Sequence, residues 1–415
     1  MSEDTLLYGE YIRLGDLGTG GQAKVIKVRH NEYGYVRALS LGDFGISKSS
    51  DEWKKFKERC GRLLRLCNGN HPNIVHCHQP KLVDGQAFFE MDFINGDNLS
   101  QFLDKNDYFI PIEEVLHMAV QISDALSFCH YGTYEYCMNP DEDKDPNTGE
   151  CLLKADENDS KKLVPVDEEA RIKLIKKHQV IHNDISSKNI MRCSNGTFVL
   201  IDFGLSVEGD DVVVTNSIRR EAGHPEYKAP ERWEGVNPSP QSDIYSFGVV
   251  LYEYLTGHVP FQLPKEFSDD DIHELGLAHR KKAVPSIHEE RKQSYARKYP
   301  NKTYENEQNL DWLEEIVMKC LEKVPEKRYN DGKELHDYII DHLNEDSTIY
   351  KDEELKKLKA SYVELVSEVQ RLEAENETLN NRLMEVTKQR VCKKCGTVAV
   401  SPDAKCCRKC GTKFD

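Results

Sequence analysis

The chain has 415 residues with a formal net charge of −16, a length that accommodates two or three domains. The acidic balance argues against bulk attraction to nucleic acid or to an anionic membrane surface. No run of ~18 apolar residues occurs, so the sequence predicts no membrane-spanning helix. The polar start and the 13 cysteines, eight scattered and five near the end, predict reduced thiols, one metal site and a cytoplasmic location.

Short β-branched or aromatic runs alternate with longer helical patterns over residues 8–343. We expect residues 8–93 to form mostly strands, the clearest at 11–14, 25–28, 35–41 and 87–93. One amphipathic helix, about 52–67, interrupts them. From residue 99 onward helices dominate, and the strongest patterns cover 115–129 and 243–255.

Two stretches have the composition of insertions. Residues 132–178 are acidic, and we expect a solvated acidic loop there. Three of its aspartates alternate as in a calcium loop: Asp141, Asp143 and Asp145. Pro146 at the sixth loop position and Leu152 at the twelfth disfavour calcium, because such a loop needs glycine and glutamate there. Residues 262–310 are rich in Lys and Arg and are expected to form a solvated face.

Four short motifs carry the chemistry. Residues 17–25 are glycine-rich and lie between two predicted strands, where glycines let backbone amides approach phosphates. The others follow in chain order: His182-Asn183-Asp184 with Lys188 and Asn189, Asp202-Phe203-Gly204, and Ala229-Pro230-Glu231. In order and spacing the four motifs resemble the eukaryotic-type protein kinase family over residues 8–343.

The resemblance implies a fold and an activity. The fold is α+β, a bilobal protein kinase fold with an N-lobe at about 8–93 and a C-lobe at about 94–343 that carries the insertion. The activity is ATP-dependent transfer of the γ-phosphoryl group to Ser or Thr of a protein substrate. The alternative is a pseudokinase, a scaffold or regulator with weak or no catalysis.

The resemblance also assigns roles to individual residues. Asp184 orients the substrate hydroxyl, Lys188 contacts the γ-phosphate, and Asn189 and Asp202 hold Mg²⁺ through oxygen atoms. The nucleotide site comprises Leu17, Gly18, Gly20, Val25, Ala38, Ser40, Met91, Asp92, Ile94 and Asp202. Two structural roles are implied as well: Asp243 braces the catalytic loop, and Arg328 pairs with Glu231.

The strand that normally carries a phosphate-binding lysine departs from the family pattern. Ser40 stands at the lysine position, and serine cannot neutralise phosphate charge. We expect Ala23 opposite Ser40 on the neighbouring strand and Lys24 on the other face, because strand side chains alternate. Lys27 is expected at the end away from the phosphates, and Lys48 on the following loop could reach in. The helix glutamate is expected near Glu58, with Arg59 as the competing alignment.

The catalytic loop and the segment after residue 222 also depart from the pattern. Asn183 replaces the arginine that meets an activation-loop phosphate, and Ser186 replaces a lysine. His224 replaces a threonine, so the hydroxyl that ties this segment to the catalytic aspartate is missing. Intact Asp184, Asn189 and Asp202 favour an enzyme, whereas Ser40, Ser186 and His224 favour the scaffold.

Residues 352–390 repeat in sevens. The a positions are Leu355, Tyr362, Val369, Asn376 and Leu383, and the d positions are Leu358, Leu365, Leu372, Leu379 and Val386. Leucine at d with one asparagine at a predicts a coiled coil that forms a parallel homodimer. The alternative is a single amphipathic helix packed on the preceding domain.

The last 25 residues, 391–415, are basic and rich in cysteine. Two C-x-x-C-G knuckles supply the thiols of Cys392, Cys395, Cys407 and Cys410, and 11 residues lie between Cys395 and Cys407. Four thiolates at this spacing predict a tetrahedral Zn²⁺ site, with Cys406 as the alternative to Cys407. The segment resembles a zinc ribbon, and protein docking or a structural role is favoured over nucleic-acid contact.

Overall fold

The computed structural model describes residues 6–19, 24–156, 162–208, 223–305, 307 and 309–345. The chain divides into two units, 1–341 and 342–415, and the description concerns the first. The predicted coiled coil (352–390), the zinc ribbon (391–415), Gly20 and Ala23 lie outside the described residues. Within the described residues, no helix has both the length and the apolar character needed to cross a bilayer.

The N-terminal part is built on a five-stranded antiparallel sheet. Its strands are β1 Tyr11–Thr19, β2 Lys24–His30, β3 Val36–Phe44, β4 Lys81–Val83 and β5 Gln86–Asp92, in the order β1-β2-β3-β5-β4. One face forms an apolar core because alternate residues point the same way: Tyr11, Ile26, Val28, Leu39 and Phe88 are buried together. The four strands predicted from the sequence are confirmed.

Helix α1, Asp51–Asn68, packs against β5 and confirms the helix predicted at 52–67. Ser50 caps it: the Ser50 hydroxyl accepts a hydrogen bond from the Trp53 amide at 3.2 Å. Asp51 and Glu52 place negative charge in the first turn, where the helix dipole favours it. Its apolar side chains, among them Trp53, Phe56 and Leu63, are buried.

Short strands and helices form the rest of the unit. The strands are β6 Gly96–Asn98, β7 Leu153–Ala155, β8 Leu163–Pro165, β9 Val180–Ile181, β10 Ile190–Cys193, β11 Phe198–Leu200 and β12 Val207–Glu208. The helices are α2 Leu99–Lys105, α3 Ile112–Ser127, α4 Tyr134–Cys137, α5 Glu168–His178, α6 Pro230–Trp233, α7 Pro240–Thr256, α8 Asp269–Lys281, α9 Ile287–Lys298, α10 Leu310–Cys320 and α11 Gly332–Glu345. The mixed content confirms the α+β class.

Two helices match the strongest sequence patterns and position the site. Helix α3 ends in a π-helical turn, Phe128–Gly132, and α7 is buried along most of its length. A capping box formed by Ser239 and Ser242 fixes the start of α7, with Pro240 in the first turn. Strands β6, β10 and β11 form one sheet, and β9 pairs with β12.

The acidic insertion is folded, and the prediction of a solvated loop is wrong for its central aspartates. The Asp143 side chain is fully buried and accepts hydrogen bonds from Lys177 Nζ at 2.9 Å and His178 Nε2 at 2.8 Å. Asp145 pairs with Lys173 at 2.6 Å. Helix α5 supplies these three basic side chains, so the carboxylates are already neutralised without calcium.

The basic stretch 262–310 is also only partly a solvated face. Arg291, on α9, is fully buried. Its guanidinium forms an ion pair with Glu307 and donates to the carbonyl oxygens of Leu255 and Ile110 at 2.8 and 2.9 Å. A buried guanidinium requires such partners, because an unpaired buried charge is very costly.

Candidate active site

The loop 182–189 connects β9 to β10 and is held by Asp243 in the first turn of α7. The buried Asp243 carboxylate accepts the His182 amide at 2.6 Å and the Asn183 amide at 2.8 Å. His130 Nε2 lies 3.1 Å from the same carboxylate, and the Gly332 amide donates to His130 Nδ1 at 3.0 Å. Because Nδ1 accepts, the proton resides on Nε2 and points at Asp243. The expected brace is confirmed.

Asp184 and Asn189 lie together at the end of this loop. Asn189 Nδ2 donates to the Asp184 carbonyl oxygen at 2.7 Å and to Asp184 Oδ2 at 3.0 Å. The Ile201 amide donates to the Asn189 backbone carbonyl at 2.9 Å, so the residue directly before Asp202 is tied to Asn189. Asp202 has φ 59°, and its Oδ1 accepts the Gly204 amide at 3.2 Å.

The donor set around this point fits a hard divalent cation. Asn189 uses its amide nitrogen toward Asp184, so its oxygen is the atom left to face a metal. Asp202 is exposed and uses one oxygen within its own turn. Carboxylate and amide oxygens are the ligands that Mg²⁺ prefers. Asn189 and Asp202 would therefore hold Mg²⁺, which would supply charge neutralisation for nucleotide phosphates.

His224 contacts Asp184 although it lacks the hydroxyl of the threonine that it replaces. Its backbone amide and its Nδ1 lie 3.2 Å and 3.1 Å from Asp184 Oδ1. An ionised carboxylate only accepts hydrogen bonds, so Nδ1 carries the proton in this contact. The sequence contains a signal for this contact, because the histidine at the threonine position is itself a hydrogen-bond donor. The hydroxyl is absent as expected, and the His224 amide and imidazole make the tie to Asp184 instead.

Gly223 is required where the segment approaches Asp184. Its φ is +102°, a conformation that other residues rarely adopt. A Cβ at this position would lie 3.2 Å from Asp184 Oδ1, in the space where the carboxylate meets His224. A larger residue here would therefore displace the carboxylate or the segment.

Tyr227 anchors the same segment to α7 and to the catalytic loop. Its hydroxyl donates to Glu253 Oε2 at 2.6 Å and lies 2.9 Å from the Ser187 hydroxyl. Burial raises the pKa of Glu253 to about 7, although the hydrogen bonds from Tyr227 and Ser187 oppose the shift. Nothing in the sequence singles out this cluster, because Glu253 is simply one more residue of a helical pattern there.

The expected Arg328–Glu231 pair is confirmed. Two parallel contacts join Arg328 Nη1 to Glu231 Oε1 at 2.9 Å and Nη2 to Oε2 at 2.8 Å, both groups being buried. Arg328 also donates to the carbonyl oxygens of Gln241 and Glu322, each at 2.8 Å. This bidentate geometry ties α6 to the chain that follows α10.

The residues expected to enclose a nucleotide lie in neighbouring rungs of the N-terminal sheet. Gly18 pairs with Val25, Val25 with Ser40, and Ala38 with Met91. Leu17 lies on β1 and is exposed, and Asp92 ends β5 two residues before Ile94. The Asp92 amide is already used, because it donates to the His76 carbonyl at 2.9 Å.

The register around Ser40 differs from the prediction. Val25, not Ala23, lies opposite the buried Ser40. Lys24 is exposed and lies 3.6 Å from Asp16, on the other face as predicted. Lys27 shares the face of Val25 but pairs with Ala38, two rungs from Ser40, and its Nζ lies 3.8 Å from the Phe93 ring centroid.

The remaining residues with a predicted role are two lysines, the helix glutamate with its competing arginine, and Asn183. Lys48 and Lys188 are both exposed. Glu58 lies within α1, but its side chain and that of Arg59 are outside the described part. Asn183 has φ 63° and donates from Nδ2 to the Leu205 carbonyl at 3.3 Å, so it contacts the chain after Asp202 directly.

Part of the chain matches a known protein family. Residues 169–341, from α5 into α11, match the protein kinase domain family. These findings support a eukaryotic-type protein kinase domain. The chain is 24% identical over 359 residues (85% of the chain) to a probable serine/threonine-protein kinase of Clostridium acetobutylicum. It is also 24% identical over 357 residues (84%) to the serine/threonine-protein kinase PrkC of Bacillus subtilis.

The matches cover most of this chain but less than half of each relative. The chain spans 43% of the Clostridium protein and 44% of the Bacillus protein, less than half of each relative. The matched family region begins after most of the acidic insertion and does not include the sheet that carries Ser40. The kinase family implies ATP and Mg²⁺ as cofactors and a protein as substrate.

Proposed function

We propose that this chain is an ATP-dependent protein kinase that transfers the γ-phosphoryl group to Ser or Thr of a protein substrate. The convergence of Asp184, Asn189 and Asp202 carries the proposal. The Asn189 amide holds the Asp184 carboxylate at 3.0 Å, and the Asn189 carbonyl accepts the amide next to Asp202. Asp184 would orient the substrate hydroxyl while Mg²⁺ neutralises the phosphates.

Phosphoryl transfer by the purified full chain tests the proposal. Wild type with Mg²⁺ and ATP labelled at the γ-phosphate should label itself or a generic Ser/Thr substrate. Asp184→Asn keeps the shape of the site and should abolish labelling. If both proteins label equally, or if neither does, catalysis by this site is excluded.

The second candidate is a pseudokinase scaffold, and the surroundings of Ser40 favour it. The ammonium groups of Lys24 and Lys27, the two lysines of β2, lie beside Asp16 and the Phe93 ring respectively. A nucleotide would then lack one cation at its phosphates, so we expect weak binding of Mg²⁺-ATP. Ser40→Lys should tighten binding in a thermal-shift titration. An absent shift with wild type at millimolar Mg²⁺-ATP would favour the scaffold.

We also propose that residues 391–415 bind one Zn²⁺ through Cys392, Cys395, Cys407 and Cys410. The two knuckles and their spacing support this proposal. Metal analysis of the purified chain should find zinc that Cys392→Ser with Cys395→Ser removes, while Cys193→Ser retains it. Equal zinc in both variants would contradict the tail site.

A further inference from the structure

Two histidines and one aspartate converge beside the segment that leaves the N-terminal sheet. Residues 76–78 pair antiparallel with the end of β5: the His78 amide donates to the Glu90 carbonyl, and the Asp92 amide to the His76 carbonyl, each at 2.9 Å. Because side chains alternate, His76 and His78 share one face and Cys77 occupies the other. Asp92 lies opposite His76 and therefore on the histidine face.

The distances suit a metal ion better than a hydrogen bond. One ligand atom from each of His76, His78 and Asp92 lies within 4.8 Å of the other two. His78 Nε2 and Asp92 Oδ1 are 3.4 Å apart, which is long for a hydrogen bond. Tetrahedral metal–ligand bonds of about 2.0–2.1 Å separate neighbouring ligand atoms by about 3.3–3.4 Å. This pair already has that separation.

The charges near the cluster set the terms of binding. Arg37 is the competitor, because its Nη1 lies 3.4 Å from Asp92 Oδ1. Its guanidinium also lies 4.8 Å from the Tyr35 ring centroid, so it keeps one favourable contact when Asp92 turns to a metal.

We propose that His76, His78 and Asp92 form a three-ligand site for a divalent transition-metal ion of the Zn²⁺ class, with a fourth position open to water. The site is separate from the oxygen ligands at Asn189 and Asp202 and does not depend on the proposed kinase activity. Asp92 is followed directly by Phe93, so a bound ion fixes the segment where a nucleotide base would lie.

Titration of the reduced, metal-free full chain with Co²⁺ tests the site. Co²⁺ bound by thiolates has intense charge-transfer absorption, whereas Co²⁺ bound by imidazole and carboxylate ligands has only weak visible bands. We expect one equivalent of the weak-band type in wild type. The double variant His76→Gln with His78→Gln should lose that equivalent, and Asp92→Asn should weaken it about tenfold or more, since even outer-shell changes cost that much.

Two further variants make the test directional. His273→Gln removes an exposed histidine on α8 and should leave Co²⁺ uptake unchanged. Arg37→Gln removes the competing cation and should tighten binding. Equal uptake by wild type and the double variant overturns the proposal, and so does an equal loss in His273→Gln. If the double variant unfolds at a lower temperature than wild type, the Co²⁺ affinities of Asp92→Asn and Arg37→Gln decide instead. The proposal requires the first substitution to weaken binding and the second to tighten it.

Discussion

One histidine determines how the Asp184 carboxylate is held. His224 gives Asp184 a backbone donor and a side-chain donor at the same oxygen, while Asn189 holds the other oxygen. An aspartate held on both oxygens keeps its orientation without an activation-loop phosphate. Control by a phosphate at Thr215 or Ser217, which lie outside the described residues, is therefore not expected to be obligatory.

The first prediction removes this side-chain donor. His224→Ala should lower kcat about tenfold or more, because a hydrogen bond to a charged group contributes about 1.5–3 kcal/mol. His224→Thr restores a hydroxyl donor and should recover most of the rate. Single-turnover phosphoryl transfer measures both. Equal rates for the alanine variant and wild type would show that the contact does not position Asp184.

The second prediction concerns pH and Glu253. Its folded pKa of about 7 is above its ordinary value of 4.5, so the folded protein binds the proton more tightly. Stability from Glu253 is then complete below the ordinary pKa and is lost as pH rises toward 7, by at most about 3 kcal/mol. Glu253→Gln should flatten that slope while keeping an acceptor for Tyr227.

The measurement is the difference between two urea-unfolding series across pH 4.5–8. A difference is needed because His279 titrates with the opposite sign: burial first, then the Lys323 charge, lowers its pKa to about 3. Its stabilisation is therefore lost as pH falls. His279 is common to both proteins and cancels. Parallel stability curves for wild type and Glu253→Gln would contradict the assigned shift.

At the scale of elements, the insertion is held by charge pairing between a loop and a helix. Helix α5 presents Lys173, Lys177 and His178 to Asp145 and Asp143. Burial alone would raise the pKa of Asp143, but the Asn139 amide, Lys177 and His178 outweigh it and hold the pKa below its ordinary value. The pairing is therefore lost only in acid.

The third prediction compares two neighbouring aspartates. Asp143→Ala leaves Lys177 and His178 without their shared anion and should lower the free energy of unfolding by about 3 kcal/mol. Asp141→Ala, at an exposed position two residues away, should change it little. Thermal unfolding with and without Ca²⁺ measures both. Stabilisation of wild type by Ca²⁺ would instead support the calcium loop.

The sequence predicted element types well and their pairing less well. Helices at 52–67 and 243–255 were recoverable because their apolar period and caps are local. The register at Ser40 was not, because the pairing of β2 with β3 across the connection at 31–35 sets it, and the apolar pattern of either strand alone does not specify that pairing. The error was two residues, which preserves the face of a strand, so the orientation of Lys24 was still predicted correctly.

Long-range partners were hidden for a different reason. Asp143 and the helix that neutralises it are 34 and 35 residues apart, and an acidic segment looks solvated until its basic partner folds onto it. His224 and Asp184 are 40 residues apart. The histidine at the threonine position was visible in the sequence, but its contact with Asp184 became visible only in the folded structure.

At the scale of the whole molecule, the heptads at 352–390 predict that two copies pair. Positions 355–386 cover about 32 residues, roughly 48 Å of helix at 1.5 Å per residue. That is enough for a modest parallel dimer, and Asn376 at an a position favours two strands in register. Pairing would raise the effective concentration of one kinase domain for its twin to about millimolar, which favours transfer between copies.

The fourth prediction separates heptad packing from added charge. Leu365→Asp with Leu372→Asp places two carboxylates at d positions and should give monomers in sedimentation at micromolar concentration. Ser367→Asp with Ala374→Asp adds the same charge at f positions, which face solvent in a coiled coil, and should remain dimeric. Autophosphorylation at low protein concentration should slow only in the first variant. If wild type is monomeric, the result favours the alternative of a single amphipathic helix packed on its own chain, because the apolar d positions then have no second copy to pack against.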